Sequence, residues 1–261
     1  MSKRSLFMLP TLKRVEMANK VISELLPFGD FLVGIYESEE KYLKDSRVKY
    51  VFLDKVGIGY ARNKLLRIAV REKYDFLVPI DDDISIREGS FGKLEKILDK
   101  RKDISVLGPL IYDRSWIWKK VVDSKEDPVK HQVVYAFWMF RRDLPSKIGF
   151  FDTRLTHAED QDFCIRARLV GDVCITKKLV IDHKRNMEGG CSETFGSSKN
   201  RVGSEDALRK ENFDKYFYPK YNMILRQNKR GYKVFNEKRL NWYRNKLVAL
   251  TINERDGIIE L

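Results

Sequence analysis

The amino-acid sequence predicts an α/β domain in which helices cover both faces of a mostly parallel sheet. Over the first 183 residues, continuous apolar segments of strand length alternate with amphipathic segments of helix length. The chain has 261 residues and is 43% hydrophobic, which is enough for a large buried core. Sheets of this class bind their ligands beyond the carboxyl ends of the strands.

The predicted elements follow one another from the first residues onward. The predicted strands of the first 80 residues are SLFMLP, DFLVGIY, VKYVFL and YDFLVPI. The helix predicted within TLKRVEMANKVISELL has an apolar face made of Val15, Ala18, Val21, Ile22 and Leu25. The helix predicted within YARNKLLRIAVREK has an apolar face made of Ala61, Leu65, Ile68 and Ala69.

Composition narrows the class of protein. The basic N-terminus lacks an apolar run of signal-peptide length, and no segment approaches the ~20 apolar residues of a membrane span, so we expect a soluble cytoplasmic protein. The three cysteines, Cys164, Cys174 and Cys191, form no CxxC pair. We therefore expect reduced structural thiols and neither a disulfide framework nor a zinc site.

The net charge of +13 favours a polyanionic partner. Much of the excess lies between Arg209 and Lys246, where twelve Lys or Arg stand against three acidic residues among many aromatics. Such a segment suits contact with a phosphate backbone and stacking on bases. The alternative is a solvated basic pair of helices whose aromatic residues pack on the main domain.

Three consecutive aspartates, Asp81, Asp82 and Asp83, follow the apolar segment FLVPI at the predicted carboxyl edge. Like charges this close repel each other, so a cation or solvent must stabilise them. In an extended segment Asp81 and Asp83 point to the same side and Asp82 to the other. Asp81 and Asp83 can therefore converge on one divalent cation. The alternative is a solvated acidic turn.

Five segments in a fixed order resemble nucleotide-sugar-dependent glycosyltransferases of the GT-A fold, particularly the large family 2. These segments are LPTLKR at 9–14, GIGYARNKLLRIA at 57–69, VPIDDDI at 78–84, AFWMFRRDLPSKIGFFDTRLTHAEDQDFCIRARLVG at 136–171 and IDHKRN at 181–186. The resemblance implies a GT-A catalytic domain over residues 1–186, with a nucleotide-sugar half and an acceptor half. A Gly/Ser-rich lid or linker at 187–204 and a basic helical region at 205–261 complete the predicted organisation.

The resemblance implies a sugar transfer from a nucleoside-diphosphate sugar, with a UDP-sugar favoured, to an acceptor hydroxyl with inversion. Asp83 is the expected first ligand of Mn²⁺ or Mg²⁺, Asp81 contacts the donor ribose or the ion, and His183 completes the metal shell. The donor-binding positions by resemblance are Pro10, Thr11, Arg14, Glu37, Arg62, Asn63, Asp81 and Asp82.

Acceptor activation is expected from the stretch HAEDQDF. By resemblance, Asp160 is the base that takes the proton of the acceptor hydroxyl, and Glu159 and Asp162 orient the acceptor or support the site. Arg166, four residues after Asp162, is placed to pair with an acid on the same helix. The alternative is a helix N-terminus rich in acids for its interaction with the helix dipole.

Size and charge also resemble the compact phage-type enzymes that glycosylate hydroxymethylated pyrimidines in DNA, which implies DNA as the acceptor and a virus-encoded enzyme acting in the host cytoplasm. A saccharide or protein acceptor is the alternative. A metal-dependent nucleotidyltransferase or nuclease is a further one, and predicts two ions held by carboxylates. A non-catalytic nucleic-acid-binding protein leaves the acidic segments unexplained.

Overall fold

The structure, a computed structural model, describes residues 4–112, 121–131, 134–155, 158–184, 213–217, 221, 225–227 and 233–235. The predicted lid at 187–204 lies outside the described residues, and so do Cys191 and most of the segment from Arg209 to Lys246. Cys164 and Cys174 are buried free thiols. No helix in the described ranges is both long enough and apolar enough to cross a bilayer.

One large sheet runs through the molecule. Its strands are β1 (Ser5–Pro10), β2 (Asp30–Ile35), β3 (Val48–Phe52), β4 (Phe76–Pro79), β5 (Ile84–Gly89), β6 (Ile104–Ile111), β7 (Val129–Lys130), β8 (Met139–Arg141) and β9 (Asp172–His183). The strand order is β3-β2-β1-β4-β8-β6-β9-β5, with β7 paired to β9. The first four strands pair in parallel, as do β6 and β9. The strands β8, β5 and β7 run antiparallel to their neighbours.

Helices cover both faces of this sheet. They are α1 (Val15–Leu25), α2 (Ile58–Ala69), α3 (Phe91–Lys100), α4 (Leu144–Ile148) and α5 (Glu159–Ala167). Strand β1 shows why two layers form, because its alternate side chains enter different cores. Phe7 and Leu9 pack in the core that α1 and α3 cover, while Leu6 and Met8 pack in the core that α2 and α5 cover. The predicted fold class is confirmed.

Two parts of the fold differ from the sequence prediction. The segment ISIREG directly after the three aspartates forms strand β5, which the alternation of apolar segments did not predict. In the predicted helical region, residues 213–217 form a single helical turn. Strands β10 (Leu225–Gln227) and β11 (Lys233–Phe235), however, pair in antiparallel orientation. Both strands mix polar and apolar residues, and over three residues such a pattern does not distinguish a strand from a helix.

Candidate active site

The candidate site lies at the carboxyl edge of the parallel strands. Strands β1 and β4 are parallel neighbours, with Met8 opposite Pro79, and the amide of Ile80 donates to the carbonyl of Met8 at 3.0 Å. The loop after β1, which carries Thr11 and Arg14, is therefore next to the loop after β4, which carries the three aspartates. This adjacency follows from the strand order and brings basic and acidic side chains together.

Asp81, Asp83 and His183 form a cluster whose potential ligand atoms all lie within 4.8 Å of one another. His183 is far from the aspartates in sequence, but it ends β9 and pairs with Ile84 at the start of β5. The amide of Lys184 donates to the carbonyl of Asp83 at 2.8 Å, which ties the ends of the two strands together. The antiparallel register of β5 and β9 thus places the imidazole beside Asp83.

The chemistry of this cluster fits a divalent cation. Oδ1 of Asp83 is buried and accepts no hydrogen bond from the described part of the chain, and Nε2 of His183 lies 3.1 Å from it. A buried carboxylate oxygen is costly unless something positive satisfies it. Two carboxylates and one imidazole suit Mn²⁺, which accepts mixed oxygen and nitrogen ligands.

Asp82 points away from this cluster and toward the loop after β1. Its carboxylate accepts a hydrogen bond of 2.7 Å from the hydroxyl of Thr11, which follows Pro10, and one of 2.9 Å from Nη1 of Arg14. The same nitrogen of Arg14 lies 3.4 Å from Oδ2 of Asp83. Burial raises the pKa of Asp82 to about 6, although both hydrogen-bond donors oppose that shift. Asp82 therefore orders the loop after β1.

Arg62 connects the cluster of Asp81, Asp83 and His183 to helix α5. Its buried guanidinium donates to Oδ1 of Asp81 at 2.8 Å and to the carboxylate of Glu159 through its other terminal nitrogen. The guanidinium carbon lies 4.7 Å above the ring of Trp138, which makes a cation–π contact. One buried guanidinium thus joins the loop after β4 to the start of α5.

Glu159 and Asp160 begin helix α5. Glu159 is buried against Arg62, while Asp160 is partly exposed and accepts a hydrogen bond of 2.6 Å from the amide of Gln161. Burial, together with the neighbouring charge of Glu159, raises the pKa of Asp160 to about 7. Burial also raises the pKa of Glu159, against the effect of Arg62. Asp160 therefore has the pKa of a general base that works near neutral pH.

Two further predicted donor-binding residues, Asn63 and Glu37, also have partners within the protein. The amide of Asn63 exchanges two hydrogen bonds, of 2.7 and 2.8 Å, with the backbone of Phe151. Glu37 accepts a hydrogen bond of 2.9 Å from the hydroxyl of Tyr42. Asn63 thus does not lie in the cluster of aspartates. Its side-chain amide joins α2 to the segment before α5. Their predicted roles at the donor stay predictions.

Backbone conformation at the site was not predictable from the sequence. Among the described residues, three that are not glycine have positive φ: Lys13 at 58°, Ala136 at 62° and Ala158 at 65°. Lys13 lies beside Arg14, Ala136 accepts the amide hydrogen of Asp81 at 2.8 Å, and Ala158 immediately precedes Glu159. Such conformations cost about 1–3 kcal/mol each and cluster at functional sites. An alanine gives no sequence signal of a left-handed conformation.

The fold and the site together define an α/β protein with a candidate metal centre next to a buried acidic helix end. Residues 30–152 match the model of the Glycosyl transferase family 2. This match includes Arg62 and the three aspartates and ends before α5. It confirms the resemblance to family 2 glycosyltransferases. Comparison with curated protein sequences gave no match.

Two solved structures are similar to this chain. A structure of GalNAc-T7 with UDP, GalNAc and Mn²⁺ has a TM-score of 0.60 and 14% identity, over 93% of this chain and 55% of that one. A structure of S. aureus TarS has a TM-score of 0.51 and 16% identity, over 69% of this chain and 36% of that one. The present chain thus spans about half or less of the length of either protein. The likeness confirms the predicted GT-A fold.

Proposed function

We propose that the protein is a metal-dependent glycosyltransferase that moves a sugar from a UDP-sugar to an acceptor hydroxyl with inversion. One observation carries the proposal: Arg62 joins the cluster of Asp81, Asp83 and His183 to the acidic start of α5, so that a donor centre and a candidate base share one site. The match to family 2 and the GalNAc-T7 structure with UDP, GalNAc and Mn²⁺ support it.

On the donor side, Asp81, Asp83 and His183 would hold the cation. A cation held there would supply positive charge beside the diphosphate that leaves with the nucleotide. Arg14 adds a fixed guanidinium beside Asp83, and Thr11 and Asp82 hold the loop that carries it. The described residues place a histidine in a single cluster of possible ligands, which favours this reading over a two-ion nuclease.

On the acceptor side, Asp160 takes the proton of the attacking hydroxyl. Its pKa of about 7 leaves it substantially ionised near neutral pH and still basic enough to accept a proton. Glu159 remains paired with Arg62 and therefore orients the start of α5. A carboxylate that deprotonates the acceptor supports direct displacement and hence inversion at the anomeric carbon.

For the acceptor, we propose a hydroxymethylated pyrimidine in DNA, with the net charge of +13 as its support. The basic segment from Arg209 to Lys246 would hold phosphates while the base or its hydroxymethyl group is presented to Asp160. Most of this segment lies outside the described residues. The predicted location, that of a virus-encoded enzyme in the host cytoplasm, depends on this DNA acceptor. A saccharide or protein hydroxyl is the competing acceptor.

The deciding experiment combines a panel of sugar nucleotides with Mn²⁺ and three acceptors: hydroxymethylated DNA, an oligosaccharide and a serine-rich peptide. Release of UDP and an added sugar mass on one acceptor are expected, and a chelator should abolish both. Asp83→Asn is the matched inactive control. If no sugar nucleotide is consumed with any acceptor or by hydrolysis, the proposed function is wrong. Transfer only to the oligosaccharide or peptide refutes the DNA acceptor alone.

A further inference from the structure

A buried tyrosine from the C-terminal part of the chain contacts helix α5. Tyr221 is 2% exposed, and its hydroxyl donates a hydrogen bond of 2.5 Å to Oδ1 of Asp162. Burial, with the added effect of the Asp162 charge, raises the pKa of Tyr221 well above its ordinary value. The hydroxyl therefore keeps its proton and stays a hydrogen-bond donor to α5.

The other oxygen of Asp162 belongs to a second buried contact. Oδ2 accepts from Nε of Arg166 at 2.9 Å and from Nη2 at 2.5 Å. Arg166 also donates from Nη1 to the carbonyl of Ile148, the last residue of α4, at 2.5 Å. Asp162 is 0% exposed and Arg166 2%. With Tyr221, these contacts form a buried network that links α4, α5 and the C-terminal region. Removing one of its members leaves a buried charge without a partner, which is strongly penalised.

The position of Asp162 on the helix gives this network a consequence for the site. Residues two apart on an α-helix are separated by about 200°, so Asp162 points away from Asp160. Residues three apart lie on the same side, so Glu159 and Asp162 are neighbours along one face. Arg62 holds that face at Glu159, and Tyr221 holds it one turn later at Asp162. The contacts at Glu159 and Asp162 therefore fix the orientation of Asp160 on the other side of the helix.

We propose that Tyr221 is a positioning residue, whose hydrogen bond to Asp162 sets the orientation of α5 and thereby places Asp160 for proton transfer. The catalytic part of this inference rests on the proposed function. The match to family 2 ends at residue 152, so it covers neither Tyr221 nor α5.

The first test uses Tyr221→Phe in the full chain, which keeps the ring and removes only the hydroxyl. Native-state amide hydrogen exchange should become about ten-fold faster within α5, equal to about 1.4 kcal/mol of local opening free energy, while β1 is unchanged. The matched control is Tyr216→Phe, which alters a partly exposed tyrosine in the preceding helical turn. This control should leave exchange in α5 as it is in the wild type.

The second test measures transfer kinetics of the same variants. Tyr221→Phe should lower kcat about ten-fold and leave KM for the UDP-sugar unchanged, because the donor site is not touched. Unchanged exchange in α5, equal acceleration throughout the chain, loss of folding, or an unchanged kcat would each overturn the inference. If the wild type transfers no sugar, the proposed function fails, while the exchange data still decide whether Tyr221 holds α5.

Discussion

Replacing Arg62 with methionine removes the buried cation between the metal cluster and α5 while keeping a side chain of similar reach. In the wild type this guanidinium is 5% exposed, donates to Asp81 and Glu159, and lies over Trp138. In the variant, Glu159 stays buried and Asp81 stays partly buried, and both lack their shared partner. We therefore expect a large loss in the free energy of unfolding.

The size of the loss follows from the geometry of these contacts. Unit charges 2.8 Å apart attract each other by roughly 6 kcal/mol at an effective dielectric constant of 20. Desolvation of the buried groups offsets much of that attraction, and removing one partner of a buried ion pair typically costs about 3–5 kcal/mol. For a chain of this length, 1 kcal/mol lowers Tm by about 2–4 °C. The variant should therefore unfold roughly 10 °C below the wild type.

Thermal and urea unfolding of the full chain, followed by circular dichroism at neutral pH, measure this loss. The matched control is Arg67→Met, which removes an exposed guanidinium from the same helix that lies over Phe150, and should cost under about 1 kcal/mol. Adding Glu159→Gln to Arg62→Met removes one unpaired charge and should recover about 1 kcal/mol or more. If Arg62→Met costs no more than Arg67→Met, the buried bridge does not stabilise the site as argued.

Three further predictions concern the reaction itself. Asp83→Asn should abolish transfer and weaken Mn²⁺ binding measured by calorimetry; unchanged Mn²⁺ affinity would remove Asp83 from the metal site. Asp160→Asn should keep UDP-sugar binding but lose transfer by ~10²-fold or more, and normal transfer would assign the base elsewhere. Because Asp160 must be ionised, kcat should rise with pH through about 7 and then level off. The same raised pKa means that the folded state binds this proton more tightly than the unfolded chain. The contribution of Asp160 to the free energy of unfolding should therefore fall as pH rises from about 4 to about 7. Urea unfolding at several pH values across that range measures this change.

Local patterns predicted the layers of the fold. The apolar spacing in α1 placed Ala18, Val21, Ile22 and Leu25 on the face that is in fact buried. The prediction that Asp81 and Asp83 share a side while Asp82 turns to another also agrees with the contacts, but Asp82 and Asp83 lie in a turn between β4 and β5 and not in the extended segment that the prediction assumed. The α1 prediction succeeds because it depends on side-chain direction over a few residues, which the helix alone determines.

Other features depend on contacts between distant segments, and the spacing of residues does not encode them. The meeting of Asp83 with His183 needs the antiparallel register of β5 and β9, and β5 itself was not predicted. The resemblance suggested the histidine, while the register explains its position. The resemblance predicted Arg62 at the donor nucleotide, which stays a prediction, and gave no sign that its side chain pairs with Asp81 and Glu159. Tyr221 lies in a segment whose sequence indicated only a basic helical region.

Burial is the main reason why Asp81, Asp82, Glu159 and Asp160 have raised pKa values and hold their protons tightly. Asp81, Asp82, Asp83, Glu159 and Asp160 face only two buried or half-buried guanidiniums, Arg14 and Arg62. Burial is the larger cause of the raised pKa values of about 6 at Asp82 and about 7 at Asp160, and a neighbouring carboxylate adds to each. A diphosphate entering this site alone would meet the same excess of negative charge. Donor affinity should consequently depend on the cation at Asp81, Asp83 and His183, since Arg14 already shares its charge with Asp82 and Asp83.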